Sequence, residues 1–171
     1  MATALKNLSE YTSSGFGDLS QTRIGIVVSE WNDEITNALF KGAMETLLKE
    51  GVKEKNIFIK TVPGSFELTH GAQSLLEKHR NKMTSVGSGY VIISKLDAVI
   101  CLGCVIQGET RHFDFICEAV ANGITNVSIR YNKPVIFGVL TTDNLEQAKD
   151  RSGGKHGNKG VEAAITALKM L

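Results

Sequence analysis

Ala98-Val-Ile-Cys-Leu-Gly-Cys-Val-Ile-Gln-Gly-Glu-Thr-Arg-His112 joins an apolar run to a polar, glycine-containing segment that leads into a second kind of periodicity. Ala98 to Leu102 is continuously apolar, as a strand covered on both faces must be. Phe113, Ile116, Cys117 and Val120 then recur at the spacing of one helix face, which predicts a helix from about Glu109 to Asn122. Strand, short loop and amphipathic helix in that order form the repeating unit of a parallel α/β sheet.

The same unit recurs on both sides. Ile24 to Val28 is a β-branched apolar run, Ser29 to Asn32 a loop, and Ile35, Ala38, Leu39, Ala43 and Leu47 mark a helix that Asn32 or Asp33 can cap and Gly51 ends. Asn56 to Val62 reads as a further strand, broken by Pro63-Gly64 before a helix from about Phe66 to Lys78. Pro134 to Leu140 is the fourth strand, and Thr141-Thr-Asp-Asn-Leu-Glu146 has the spacing of a helix start. Residues 80–95 are polar, contain Gly87-Ser-Gly89, and read as a variable connection or as an extension of the helix or strand beside it. Four such units with short connections predict right-handed crossovers, a four-stranded parallel sheet and helices on both faces. Ligands of such sheets bind beyond the carboxyl ends of the strands, so Glu30 to Asn32, Pro63 to Glu67, Cys104 to His112 and Thr141-Thr142 are expected to form any site.

A chain of 171 residues with 42% apolar composition is long enough for one sizeable core. A formal charge of +1 supplies no long-range field for nucleic acid or a membrane surface, which leaves small molecules and protein copies as the expected partners. The first twenty residues lack a signal-peptide core, and no run approaches the ~20 apolar residues that span a bilayer, so the chain is expected in the cytoplasm. Its three cysteines make no disulfide framework. Cys101-Leu-Gly-Cys104 with His112 and Cys117 mimics a zinc ligand set, but residues three apart on a strand face opposite ways and cannot grip one ion. Cys101 and Cys117 are expected in the core.

Within the predicted loops, Gly108-Glu-Thr110 offers backbone N–H groups and a hydroxyl at a helix start, where an anion such as phosphate is favoured, although a capped start with no ligand fits equally well. His112 is expected one turn along the same helix, and it alone in the loop set is an acid and a base near neutral pH. Trp31 stands outside any apolar stripe and suits stacking on a planar ligand, or packing on a neighbouring helix. Ser65-Phe-Glu67 combines a hydroxyl, an apolar ring and a carboxylate, and is equally an ordinary helix cap. Arg151-Ser-Gly-Gly-Lys-His-Gly-Asn-Lys-Gly160 fails the ATP-loop pattern, because Lys159 is followed by Gly160 and no strand precedes it. It reads as a flexible connection whose Arg151 and Lys159 can still contact phosphate.

Taken together, Trp31-Asn32, Pro63 to Glu67, Leu102 to His112, Pro134 to Thr141 and Gly157 to Gly160 resemble 6,7-dimethyl-8-ribityllumazine synthase, in that family's order from about Arg23 onward. The resemblance implies a single flavodoxin-like three-layer α/β/α domain over residues 23–171. Residues 1–22 would be a tail that makes assembly contacts, and an N-terminal strand from a neighbouring subunit would extend the sheet. It implies the condensation of 5-amino-6-(D-ribitylamino)uracil with L-3,4-dihydroxy-2-butanone 4-phosphate in riboflavin biosynthesis, with no metal and no organic cofactor. Carried over by motif, Trp31 and Asn32 lie at the pyrimidine, Ser65, Phe66 and Glu67 at the ribityl chain, and Cys104, Val105 and Ile106 along the ring. Glu109, Thr110 and Arg151 match the phosphate site, with Lys159 a further basic position near it, His112 the proton-transfer residue, and Phe137 an aromatic from the adjoining subunit. The family's pentamers share sites between neighbours, and some build 60-subunit shells that associate with riboflavin synthase. The uninterrupted Arg151 to Gly160 connection looks like that of shell-forming members, whereas residues 80–95 are longer than in compact ones. A flavin or pteridine carrier and a catalytically silent shell protein of the same fold are the competing expectations. A flavodoxin-like FMN module would need hydroxyl residues after its first strand, where Ser29-Glu-Trp-Asn32 stands.

Overall fold

A computed structural model describes residues 9–11, 15–86 and 89–171, with residues 81–86 and 89–94 described as backbone. In chain order the elements are β1 (Ile24–Ser29), α1 (Asp33–Lys49), β2 (Ile57–Val62), α2 (Leu68–Lys78), β3 (Arg80–Val86), β4 (Gly89–Ser94), β5 (Ala98–Ile106), α3 (His112–Tyr131), β6 (Val135–Thr142), α4 (Leu145–Arg151), β7 (Ser152–Gly154), β8 (Gly157–Asn158) and α5 (Lys159–Lys169). The strands β2, β1, β5 and β6 lie in that order, all parallel, with Ile24 opposite both Ile57 and Ala98, and Val99 opposite Val135. This is the expected four-stranded sheet.

The alternation of strand side chains builds two cores. Ile24, Ile26 and Val28 pack on one face with Leu39, Ala43 and Leu47 of α1 and Ala163, Ala164 and Leu168 of α5. Val27, Val99 and Cys101 face the other way, onto Leu68, Ala72 and Leu76 of α2 and Val120, Ile124 and Val127 of α3. Every residue of β1 is buried, which accounts for its lack of a polar alternation. The order reverses between β1 and β5, so the connections leaving these two strands diverge and open a crevice at their carboxyl ends.

Several local expectations change. Within residues 80–95, β3 and β4 pair antiparallel outside the main sheet, with Ser85 opposite Tyr90. Tyr90-Val-Ile-Ile93 has strong β propensity, which the polar residues around it obscure. Gly87 and Ser88 lie outside the described residues. β5 runs on to Ile106 because β6 pairs with it as far as Thr142, four residues past the expected end at Leu102. Helix α3 consequently starts at His112 rather than Glu109. The helix expected from Phe66 begins with a 3-10 turn over Ser65–Glu67.

The segment expected as a flexible connection is a rigid helix cap. Asn158 accepts hydrogen bonds from the Gly160 and Val161 N–H groups (2.8 and 3.4 Å) and donates to the Ala38 and Ser152 carbonyls (2.9 and 3.1 Å). One amide thus caps α5, ties β7 and anchors both to α1. A Cβ at Gly160 would stand 1.9 Å from the Leu39 carbonyl oxygen, so only glycine admits this approach of α5 to α1. The described part of the N-terminal segment rests on its own chain: Leu19 is in the α1-side core with Phe16 against it, Tyr11 donates to Glu50 (2.9 Å), and Ser9 pairs with Asn158.

Candidate functional site

Three loops meet over the crevice because their backbones are tied together. The Glu30 and Trp31 N–H groups donate to the Val62 and Pro63 carbonyls (2.8 and 3.0 Å), which joins the exit of β1 to that of β2. Asn32 takes a left-handed conformation (φ 59°) at the start of α1. Its side chain does not cap that helix as expected. Instead Nδ2 donates to the Cys104 carbonyl (3.1 Å), and Ser65 Oγ donates to the same oxygen (3.3 Å). Both lone pairs of one β5 carbonyl are therefore used to lock the loops after β1 and β2 onto the strand between the cleft walls. Gly103 keeps this junction tight, since a Cβ there would lie 2.7 Å from Ser65 Oγ and 2.8 Å from Leu68.

The result is a cleft of about 540 Å³, within the usual range for small-molecule sites. Trp31, Asn32, Ser65, Phe66, Glu67, Cys104, Val105, Ile106 and His112 all line it. Trp31 is 70% and Phe66 55% exposed, so two aromatic rings stand open to solvent at one mouth. Trp31 lies against Gly64, where an added Cβ would be 3.2 Å from its ring. Glu67 accepts from the Gly64 N–H (3.0 Å), which holds its carboxylate at the cleft wall. Gly64 and Ile116 complete the lining. Ile116 was legible as a member of the α3 stripe, and as the residue four after His112 it shares that residue's face.

Other candidates lie elsewhere on this chain. Glu109 and Thr110 are exposed in the loop before α3 and not on the helix, and the Thr110 hydroxyl accepts weakly from the His112 N–H (3.4 Å). His112 is thus the first helical residue rather than one turn in. Phe137, opposite Cys101 in the sheet, packs against the α2–α3 core. Arg151 and Lys159 converge on Glu162, at 2.8 and 3.2 Å. The cleft of a single chain therefore gathers nine of the residues predicted from sequence and leaves these five outside it.

The cysteines behave as a strand predicts. Cys101 belongs to one core and Cys104 to the other, while Cys117 is only half-buried, less than expected. Burial pushes the Cys101 thiol up to about 12 and that of Cys104 up to about 11, so both stay protonated at neutral pH. Among the described residues no three His, Cys, Asp or Glu side chains are grouped to hold a metal ion, and no helix is long and apolar enough to cross a membrane.

The family profile described as 6,7-dimethyl-8-ribityllumazine synthase matches residues 21–171. A protein of that name from Cytophaga hutchinsonii is 61% identical over 171 residues, covering 100% of this chain and 98% of its own. Those from Parabacteroides distasonis and Porphyromonas gingivalis are 52% and 50% identical, over 100% and 99% of this chain and 98% and 96% of theirs. With so much of each chain aligned, and with a parallel α/β/α fold whose cleft gathers these residues, the chain belongs to the 6,7-dimethyl-8-ribityllumazine synthase family.

Proposed function

We propose that the protein condenses 5-amino-6-(D-ribitylamino)uracil with L-3,4-dihydroxy-2-butanone 4-phosphate to 6,7-dimethyl-8-ribityllumazine, releasing phosphate and water, in the cytoplasm. The observation that carries this reading is the convergence of Trp31, Ser65 to Glu67, Cys104 to Ile106 and His112 on one cleft. Trp31 stacks on the pyrimidine, beside Asn32. The main chain of Cys104, Val105 and Ile106 runs along the ring, and the β5 carbonyl locked by Asn32 and Ser65 fixes its height. Phe66 and Glu67 hold the ribityl chain.

The amine of the pyrimidine adds to the ketone and loses water to form an imine. Loss of phosphate follows, and ring closure releases a second water. Each step moves a proton, and His112, at the start of α3 beside the cleft, supplies and removes it. Holding the two reactants in register contributes several kcal/mol or more, so the cleft walls matter as much as the acid and base.

Phe137, Arg151 and Lys159 lie off this chain's own cleft, which supports a site completed by a neighbouring copy. In this reading Phe137 covers the pyrimidine from the adjoining subunit, while Arg151 and Lys159 join Glu109 and Thr110 around the phosphate. Pentamers follow, with a 60-subunit shell and association with riboflavin synthase as further levels of assembly, and residues 1–22 making contacts in it.

The test is lumazine absorbance on mixing the two substrates with the protein, His112→Ala and Arg151→Ala. Faster formation than the uncatalysed background, reduced in each variant and partly recovered when both variants are co-expressed, supports the enzyme and the shared site. Pyrimidine binding without acceleration would leave a carrier or a silent shell.

A further inference from the structure

Glu162, in the first turn of α5, is a carboxylate three residues after Lys159 on the same helix. Its side chain is 11% exposed, and each oxygen serves a different cation: Oε1 stands 2.8 Å from Arg151 Nη2 and Oε2 3.2 Å from Lys159 Nζ. Arg151 is also held by its other terminal nitrogen, Nη1, which donates to the His156 carbonyl (2.6 Å). The Arg151–Glu162 contact is an ion pair without an aligned hydrogen bond, so of the five N–H donors of a guanidinium and the three of an ammonium one each is engaged, by the His156 carbonyl and by Glu162 Oε2, and most remain for an anion. Two cations on one carboxylate also leave a net positive charge. Such a cluster is oriented without being exhausted.

We infer that Glu162 is a positioning residue, a clamp that presents Arg151 and Lys159 together as a preformed site for the phosphate of the four-carbon substrate. This rests on the assignment of those two cations to the phosphate. The His156 carbonyl limits where Arg151 can go, so the carboxylate must reach out to the guanidinium. Glutamate spans both cations. A carboxylate one methylene shorter reaches both only if Arg151 abandons His156. Long cationic side chains lose much rotamer freedom on binding an anion, and a clamp that removes that freedom beforehand strengthens binding of the phosphorylated substrate in particular. The pyrimidine, carried by the Trp31 cleft, gains nothing from it.

Two variants separate reach from charge. Glu162→Asp keeps the charge and shortens the arm, whereas Glu162→Gln keeps the arm but removes the charge and turns one of the two acceptor oxygens into an N–H donor that faces a cation. Steady-state KM for each substrate and the Kd of inorganic phosphate are measured on the full-length assembled protein. Both variants are expected to raise KM for the butanone phosphate and the phosphate Kd by about tenfold, the size of one charge-assisted contact, because each leaves one of the two cations without its oxygen. KM for the pyrimidine stays within about twofold, a split that a merely structural role would not produce. A Glu162→Asp variant within about twofold of wild type overturns the clamp in favour of plain charge compensation, and so does an equal rise in both KM values. Arg151→Ala distinguishes the layers. Unchanged phosphate affinity in that variant removes the underlying site assignment, whereas lost affinity with an inert Glu162→Asp removes the clamp alone.

Discussion

Trp31→Ala separates binding from folding, because the ring lines the cleft and yet is largely exposed. The ring is 70% exposed, so the fold gains little from it, and unfolding should shift by no more than about 0.5 kcal/mol, as for other surface substitutions. A tryptophan offers up to about 250 Å² of surface. With its other side against Gly64, roughly a third of that, about 80 Å², is a face that a flat pyrimidine can cover, worth about 2 kcal/mol at ~25 cal/mol per Å². The same figure falls within the ~1–3 kcal/mol measured for base–aromatic stacking. Pyrimidine affinity should therefore fall by about thirtyfold. Because Trp31 is the only tryptophan, intrinsic fluorescence reports the site directly in the wild type, and calorimetry gives the variant's Kd. Two results would refute the reasoning: fluorescence indifferent to saturating pyrimidine, or a variant Kd within twofold of wild type. Loss of folding in the variant would contradict the exposure on which the estimate rests.

His112→Ala should lower kcat by about a hundredfold, the low end for a lost acid–base group, while leaving turnover above background; a change below threefold would remove His112 from proton transfer. Gly160→Ala places a Cβ 1.9 Å from Leu39 backbone oxygen, and the overpacking of about 1–3 kcal/mol outweighs the ~1 kcal/mol that alanine returns in a helix, so its thermal midpoint at fixed protein concentration should drop. An equal or higher midpoint would mean that α5 does not approach α1 as described. The Tyr131 hydroxyl donates to Glu77 (2.6 Å), and that bond first, then one from Gln73, then the charges of Arg130 and Arg80, hold the Glu77 carboxyl below its ordinary range. A depressed carboxylate stabilises the fold above its unfolded-state value, and the contribution is lost as pH falls through the folded one. Tyr131→Phe should therefore lose less stability than wild type between neutral and acidic pH in denaturant titrations, and parallel profiles would exclude the link.

The cleft was legible before any coordinates because its residues follow strand ends. Apolar runs identify the strands, parallel connection puts their carboxyl ends on one edge, and Trp31, Ser65 to Glu67, Cys104 to Ile106 and His112 then follow from position in the chain. The opposing orientation of Cys101 and Cys104 followed from strand periodicity in the same way. Helix starts were less legible, since a loop residue and a first-turn residue can be the same amino acid. Pairing with β6 as far as Thr142 extended β5, and that extension moved the start of α3 to His112.

What the sequence determined by itself is therefore the α/β layering and the loops that carry polar groups, because these depend on local periodicity. Tertiary structure alone decided that Asn32 secures the Cys104 carbonyl instead of capping α1, and that Asn158, besides its local cap of α5, anchors that helix start to the Ala38 carbonyl of α1. It alone brought Arg151 from the end of α4 onto Glu162, whose pairing with Lys159 is local to α5, and placed the group apart from the chain's own cleft. Each of these outcomes depends on which donors and acceptors distant segments bring within about 3 Å of one another. Packing of the whole chain sets those separations, and no window of sequence encodes them.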